Sequence, residues 1–525
     1  MGAVTAQSSS FGNGVLAVGL MAAWVILGLI GHEPWKPDEA YTFGLVWHIL
    51  ETGQWLVPTL GGEPFVEKPP LFFWTAALFA KAFAWALPVH DAARLASGFF
   101  VAVALGFTWL ASGKRIAAAL LLAGSLGYLQ HSHQLITDNA LLAGIAVGVC
   151  GLARSSGLLL GLGAGIAFLS KGLLGPGMLA LSALALFAFP AWRTRQYVTS
   201  LGWATLAFAP WALIWPVLLY MRSKALFDEW FWVNNFGRFS GSAGLGGVLD
   251  HWLYLKALPW FALPALPIAA WTLWRAVRTR TELGNPALQM PLAVFVVMLA
   301  VLSTASSART LYALPMLVPL ALLGAQSLDS LPERLRSSLE HTGFWGGIAM
   351  VVVLWGAWLF LLLGWPAALA ARLAAFSPGH VPHVAAVPFL FAVATTAGWL
   401  FVLLVVSGDP LRMPIVWLAA ITAGWGLAMT LWLPFLDDAK SYRAVASAMQ
   451  QNVPPDACVS GRNLTEPQRA VFHYYSGVIA GKECPLLLVH TDKPSAPELG
   501  REWTLVWRGT RPGDEKEFFW LFSAR

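Results

Sequence analysis

Apolar runs about as long as a bilayer's hydrocarbon core is thick recur along this chain, at 14–31, 93–112, 116–135, 139–153, 157–170, 173–191, 199–220, 257–275, 288–305, 310–328, 343–364, 385–407 and 414–434. In lipid a chain must close its backbone hydrogen bonds on itself, so such runs read as helices. The expectation is an α-helical polytopic membrane protein with about thirteen transmembrane helices. Of its 525 residues 57% are hydrophobic and only 11% charged, which excludes the ordinary soluble classes. The 28 Trp suit belts at the two interfaces, where an amphipathic ring sits at headgroup level. A further apolar run, 70–88, begins at the Pro69-Pro70 pair and holds Lys81 near its middle. It is placed on the outer surface as a juxtamembrane helix.

Orientation follows from the basic residues. With a cytoplasmic N-terminus and thirteen crossings, the inner loops hold Lys114, Arg115, Arg154, Arg193, Arg195, Arg275, Arg278, Arg280, Arg334, Arg336 and Arg412, as the positive-inside pattern requires. Counting 70–88 as a span would move Lys114, Arg115, Arg193 and Arg195 outside and put Asp38 and Asp138 on opposite faces, so that topology is rejected. The net charge of +6 is then a topology signal, and no basic, aromatic groove points to nucleic acid. Residues 1–14 carry no Lys or Arg, and no small-residue cleavage site follows 15–30, so the N-terminal run is expected to stay on the chain.

After Pro434 the composition turns polar. A transmembrane domain, 1–435, is expected to be followed by a small α/β domain, 436–525, which the odd number of crossings places outside. Its pattern gives a helix to about Gln450, a strand at 457–460, a helix at 466–476 and β-like runs at 486–490, 503–508 and 517–523. Cys458 and Cys484 both lie in it, which permits a disulfide without requiring one; with Cys150 in an apolar run, the spacing fits no zinc site.

Under this topology the ionisable residues gather on one side. Asp38, Glu39, Glu67, Lys68, His131, His133, Asp138, Lys171, Arg238 and Arg309 all fall at or near the outer face, most of them in the outer loops 32–92 and 221–256 or at span ends. Between Tyr41 and Gly62 an amphipathic stretch is broken by Gly53, Pro58, Gly61 and Gly62, which predicts a helix lying on the membrane and then a turn. The second loop, rich in Trp and Phe, suits another surface helix. Taken alone, the Asp38-Glu39 pair is also what a solvated helix end looks like.

Six motifs narrow the reading: Lys36-Pro37-Asp38-Glu39-Ala40-Tyr41, Glu67-Lys68-Pro69-Pro70-Leu71, Leu135-Ile136-Thr137-Asp138, Phe168-Leu169-Ser170-Lys171-Gly172, Asn234-Asn235-Phe236-Gly237-Arg238-Phe239 and Arg309-Thr310-Leu311-Tyr312-Ala313-Leu314-Pro315. In this order they resemble the membrane glycosyltransferases of the C-type (GT-C) fold that use polyprenyl-phosphate sugars, especially the aminoarabinose lipid A transferases and the protein O-mannosyltransferases. The resemblance implies Asp38 as the catalytic aspartate, with Glu39 supporting it and Asp138 as the second acid of the site. It implies Lys68, Arg238, Lys171, Arg309 and Tyr312 around the donor phosphate, with Tyr41, Glu67 and Asn235 in support. Glycosyl transfer needs those two kinds of group, a base or orienting carboxylate and cations for the departing phosphate. Simpler readings stay open: Lys68 pairing with Glu67, Arg238 on lipid headgroups, Lys171 and Arg309 on anionic lipid, Tyr312 as an interfacial anchor.

Two departures from the family pattern matter. Many relatives place an arginine before the tyrosine where this chain has Ala40, which weakens any inference about the acceptor. Some hold a metal through a histidine shortly before the loop arginine, where this chain has Val233, Asn234 and Asn235. His131 and His133 point to different faces of a helix, poor geometry for one ion. No metal residue is therefore assigned and no cofactor is expected, with a divalent metal left open. The implied function is inverting transfer of a sugar from a polyprenyl phosphate, at the outer, periplasmic face of a bacterial inner membrane, to lipid A or a related glycolipid. A protein hydroxyl is the alternative acceptor. Membrane lipids are the remaining partners. A transporter or flippase would be expected to carry its ionisable groups near the bilayer midplane, whereas here they gather at one end.

Overall fold

The computed structural model describes residues 2–244, 250–280, 282–406, 411–500, 502–514 and 516–525, with side chains from Gly12 onward. Residues 245–249 of the expected outer loop 221–256 lie outside the described residues. Helix α1 (Gly2–Ile26) leads into a turn and then α2 (Asp38–Thr52). A two-residue hairpin, β1 (Thr59–Leu60) with β2 (Glu63–Pro64), returns the chain to α3 (Leu71–Phe83). A helix and then a turn form over 41–62 as expected, but residues 39–46 are buried on every face of α2, so it packs within the protein and does not lie open on the membrane; it carries Asp38 and Glu39 in its first turn.

The helical body continues through α4 (Val89–Ala111), α5 (Ile116–Ala123), α6 (Leu126–Ser132), α7 (Thr137–Ala153), α8 (Gly157–Lys171), α9 (Leu174–Ala185) and α10 (Arg195–Arg222). The run 116–135, expected as one span, is instead two short helices. The ladder breaks at Gly124 and Ser125, where the Ser125 hydroxyl turns back to Leu121 O (2.9 Å) and the Leu126 N–H donates to Leu263 O (3.1 Å). Small residues let α7 and α8 pack backbone to backbone: a Cβ on Gly163 would lie 2.2 Å from the Gly148 nitrogen. That close, antiparallel packing brings the start of α7, with Asp138, beside the end of α8, with Lys171.

Next come α11 (Lys224–Asp228), a π-helical stretch at Glu229–Gly237 and α12 (Arg238–Ser240). Helices α13 (Leu253–Phe261) and α14 (Ala265–Thr279) meet at 104°. Then follow α15 (Pro286–Thr304), α16 (Leu314–Ala325), α17 (Glu333–Leu363), α18 (Ala367–Ala374), α19 (Ala386–Val405) and α20 (Arg412–Ala428), the last bent by 64° onto α21 (Leu433–Lys440). Among the described residues five helices (α4, α10, α15, α17 and α19) are long and apolar enough to cross a bilayer, or up to seven if each bent pair is one span; several shorter apolar helices accompany them. The protein is thus a helical membrane protein with a small sheet domain at its C-terminal end.

That domain holds α22 (Arg443–Gln450), β3 (Val459–Arg462), α23 (Glu466–Ser476), β4 (Ile479–Ala480), β5 (Leu486–Thr491), β6 (Trp503–Thr510) and β7 (Phe518–Ala524), in sheet order β4-β3-β5-β7-β6. Strands β4, β3 and β5 are parallel and β7 runs antiparallel to β5 and β6. Cys458 and Cys484 are joined, Cα to Cα 5.4 Å. The domain rests on α2 and the hairpin: Arg469 pairs with Glu63, and the Ala480 N–H donates to Gly61 O (2.8 Å).

Candidate functional site

Six segments bring the expected residues together at one end of the helical body: α2, the stretch before α3, α7, α8, the π-helical stretch with α12, and the turn before α16. Lys68, just before α3, donates to the Tyr41 hydroxyl, which donates in turn to Asp38 Oδ1 at 2.9 Å. Asp38 is half-buried, so its carboxylate is oriented by this relay yet open to an incoming molecule. Burial alone would lower the Lys68 ammonium's pKa, but the Tyr41 phenol and the carboxylates of Glu67, Asp38 and Asp138 outweigh it and hold it above the ordinary lysine range. Its charge is therefore secure.

Arg238 reaches from the loop after α10 to Glu67 Oε1 (Nη1, 2.7 Å), while its Nε is buried without a hydrogen-bond partner. Burial would raise the Glu67 carboxyl. The Arg238 hydrogen bond and the charges of Lys68, Arg238 and Lys171 outweigh it and hold the carboxyl below the usual glutamate range. Lys171 donates to Asp138 Oδ1 (2.6 Å) and lies 4.4 Å from the centre of the Tyr312 ring. Asn235 fixes the loop that carries Arg238: its Oδ1 accepts from the Leu173 N–H (3.0 Å) and its Nδ2 donates to Trp230 O (2.8 Å). Gly172 makes this approach feasible, since φ is +72° and a Cβ would lie 2.1 Å from Asn235 Oδ1.

Lys68, Lys171, Arg238, Glu67, Asn235 and Tyr312 line a groove of about 280 Å³ whose remaining walls are mostly apolar. Leu174, Met178 and Leu181 of α9 form one wall and Val301 and Leu302 of α15 another. A groove that joins a cationic cluster to an apolar slot suits an amphiphile with an anionic head.

Two expected site residues stand elsewhere. Arg309 is exposed, outside the groove lining, and begins the turn that holds Tyr312 (Tyr312 N–H to Arg309 O, 3.0 Å). Glu39 faces the other way from Asp38 and is only 2% exposed. Its Oε1 takes Arg94 Nε (2.6 Å) and the Leu135 N–H (3.2 Å), and its Oε2 takes the Trp35 N–H (3.2 Å). Glu39 is thus an anchor and makes no contact with the groove. Arg94, fully buried, also holds Asp91 (2.5 Å), Leu29 O (3.1 Å) and His32 O (3.0 Å). Arg94 thus holds the segment before Asp38 directly, and Glu39, bonded to Arg94, Trp35 and Leu135, ties that segment to the one before Asp138.

Sequence reasoning missed Arg94 and Glu466. Arg94 falls at the edge of the run 93–112, where a cation reads as a span boundary; the Asp91-x-x-Arg94 spacing on one helix face was the available signal. Glu466, at the start of α23, projects a carboxyl from the C-terminal domain toward Glu67, Lys68, Arg238 and Asp38. Burial and the Glu67 carboxylate push it above the usual glutamate range. Nothing in a soluble segment more than four hundred residues from Asp38 signals that approach.

His131 Nδ1 donates to Gln134 Oε1 (3.3 Å), and His133 is buried against Trp24 O (2.6 Å). Among the described residues no group of three or more His, Cys, Asp or Glu is arranged to hold a metal.

No family model matches the chain. It is 28% identical, over 415 residues, to undecaprenyl phosphate-alpha-4-amino-4-deoxy-L-arabinose arabinosyl transferase 1 of Sodalis glossinidius, covering 73% of this chain and 70% of that one. It is 27% identical to the corresponding transferase of Pseudomonas savastanoi pv. phaseolicola over 61% of this chain and 62% of that one, so part of each relative's length is unmatched. Its fold is similar to that of ArnT from Cupriavidus metallidurans, solved bound to undecaprenyl phosphate, with a TM-score of 0.65, 16% identity and 97% of both chains covered.

Proposed function

We propose that this chain, ArnT-like in sequence and in fold, is a membrane glycosyltransferase that moves a sugar from an undecaprenyl-type phosphate to a surface glycolipid such as lipid A. The observation that carries the reading is the convergence of Lys68, Lys171 and Arg238 on one apolar groove, with Asp38 one hydroxyl away. The polyprenyl chain runs along α9 and α15, and its phosphate lies at the three cations. Lys171 and Arg238 are each paired with a carboxylate and Lys68 stands near the carboxylates of Glu67, Asp38 and Asp138, so their charge is held without drawing in bulk anions. The unpartnered Arg238 Nε is a buried donor that a phosphate oxygen satisfies.

In the transfer step the anomeric C–O bond to phosphate breaks and a bond to the acceptor oxygen forms from the opposite side, which inverts the centre. The cations stabilise the charge growing on the leaving phosphate. Asp38, oriented by Tyr41, takes the proton of an acceptor hydroxyl. With an acceptor phosphate, already ionised, it acts by stabilising positive charge on the sugar ring. Glu466 adds a carboxyl to the same space from the C-terminal domain. On this reading the site and that domain, 436–525, face the periplasm.

The test is mass spectrometry of surface glycolipids and membrane proteins from cells with and without the chain. A glycolipid mass loss equal to one sugar residue on deletion is expected. Unchanged glycolipids alongside a changed membrane protein would replace the acceptor, and no change in either would overturn the reading.

A further inference from the structure

A second polar cavity lies at the other end of the helices that build the groove. Helix α15 gives Val301 and Leu302 to the groove and Ala287 and Met290 to this cavity; the turn before α16 gives Tyr312 to the groove, and Gln326, past the far end of α16, lines the cavity. The 19 residues of α15 cover about 28 Å at the usual helical rise, close to the thickness of a hydrocarbon core. The two cavities therefore face opposite leaflets.

The second cavity, about 580 Å³, has an apolar floor of buried Met290, Pro291 and Leu322 under a charged rim. The rim holds two guanidinium groups, Arg115 and Arg275, and one carboxylate, Glu282, a net charge of +1 (two positive less one negative). Arg275 grips both Glu282 oxygens through Nη2 (2.9 and 3.0 Å) and Ser330 Oγ through Nη1 (2.5 Å), while its Nε is buried without a hydrogen-bond partner. Arg115 donates to Ala325 O (3.3 Å) and pairs with no carboxylate among the described residues. A buried guanidinium donor left over, a second arginine without a counter-ion and an apolar floor form one amphipathic receptacle. Phosphate oxygens match the planar fork of arginine, and a glyceryl and acyl stem matches the floor.

We propose that this cavity holds the headgroup phosphate of an anionic phospholipid from the leaflet opposite the donor site. Basic pockets between transmembrane helices recognise such headgroups. A zwitterionic headgroup brings an ammonium toward two arginines and is disfavoured. The bound lipid wedges α15 and α16 at the end remote from the groove and so fixes the spacing of the two helices that also frame the donor.

The test uses the full-length protein in detergent, incubated with equal amounts of phosphatidylglycerol and phosphatidylcholine and read by native mass spectrometry. The wild type is expected to retain phosphatidylglycerol in preference by about tenfold, the scale of one charge-assisted contact. Arg115→Gln should lose most of that preference. Ala287→Trp, at an exposed lining position that leaves both arginines in place, should lose it by filling the cavity. Equal retention of the two lipids by the wild type, or wild-type preference in both variants, overturns the proposal. Displacement of the lipid by millimolar inorganic phosphate would assign the cavity to a soluble phosphate compound and overturn the lipid. Neither variant touches the donor groove, so the result is independent of the transfer assay.

Discussion

Asp38 and Glu39 are joined by one peptide bond and live in different surroundings. Asp38 is half-buried, held by the Tyr41 hydroxyl and linked through it to Lys68 in the groove lining. Glu39 is sealed in, with Arg94 and two backbone N–H groups on its oxygens. Neighbours on a helix point about 100° apart, so the first turn of α2 delivers one carboxylate to the site and the other into the body. The pair is therefore two devices: one accessible and able to change partners, the other fixing where the first one stands.

The sharpest way to break that comparison is to neutralise each in turn. Asp38→Asn keeps the size and hydrogen-bonding shape, and is expected to cut transfer by roughly a thousandfold, within the range for losing a positioned acid–base group, with thermal stability in detergent unchanged. Transfer within a few-fold of wild type at matched membrane abundance would remove Asp38 from the chemistry. Glu39→Gln should behave in the opposite sense. Breaking one partner of a buried pair costs about 3 kcal/mol, so the melting temperature falls, and activity falls with it because Glu39 no longer holds Arg94, Trp35 and Leu135 together and so no longer ties the segments before Asp38 and Asp138. A Glu39→Gln protein as stable as wild type but inactive would mean that Glu39 acts on substrate.

Much of this was legible in the residues. The apolar runs announced a membrane body, the polar C-terminal segment a small sheet domain, and the ordered motifs drew Lys68, Asp138, Lys171, Arg238 and Tyr312 to one end. What was not legible is the direction in which side chains turn. Glu39 and Asp38 look alike in a sequence, because the helical phase that separates them depends on where α2 begins. Arg309 reads as one more outward cation, and only its place at the start of the Tyr312 turn shows that it stands outside the groove lining. The break in 116–135 escaped because a Gly-Ser step inside an apolar run is tolerated in many membrane helices. Glu466 reaches the site only because α23 docks on α2, a contact between distant segments.

The pH dependence sharpens the contrast further. Glu67 has its folded pKa lowered, so the stability it contributes is present above the ordinary carboxylate range and is lost only as pH falls through that lowered value. Lys68 has its folded pKa raised, so its contribution is complete below the ordinary lysine range and is lost only as pH rises through the raised value. Melting temperature should therefore not fall through either group between about pH 6 and pH 9, above the ordinary carboxylate range and below the ordinary lysine range; a fall traced to either one by its Gln or Met variant would contradict this.

A smaller effect is expected at Glu466. Its folded pKa is raised, so at neutral pH its charge costs stability, and that cost is relieved as pH falls through the raised value. Glu466→Gln should leave the melting temperature unchanged or higher while lowering transfer several-fold, the pattern of a group kept for function. A lowered melting temperature with normal transfer would make it a structural residue of α23.

Binding of a polyprenyl phosphate in the groove can be measured without knowing sugar or acceptor. Undecaprenyl phosphate is titrated into the purified protein in nanodiscs, comparing wild type with Lys68→Ala, with Arg238→Ala and with Gly177→Trp. Gly177 lines the groove, and a Cβ there meets nothing within 4 Å, so the bulky side chain fills the slot without crowding the core. Each cation variant is expected to weaken binding about ten- to a hundredfold, the value of a charge-assisted contact, and Gly177→Trp to weaken it comparably with both cations intact. Wild-type affinity in all three would contradict binding in this groove.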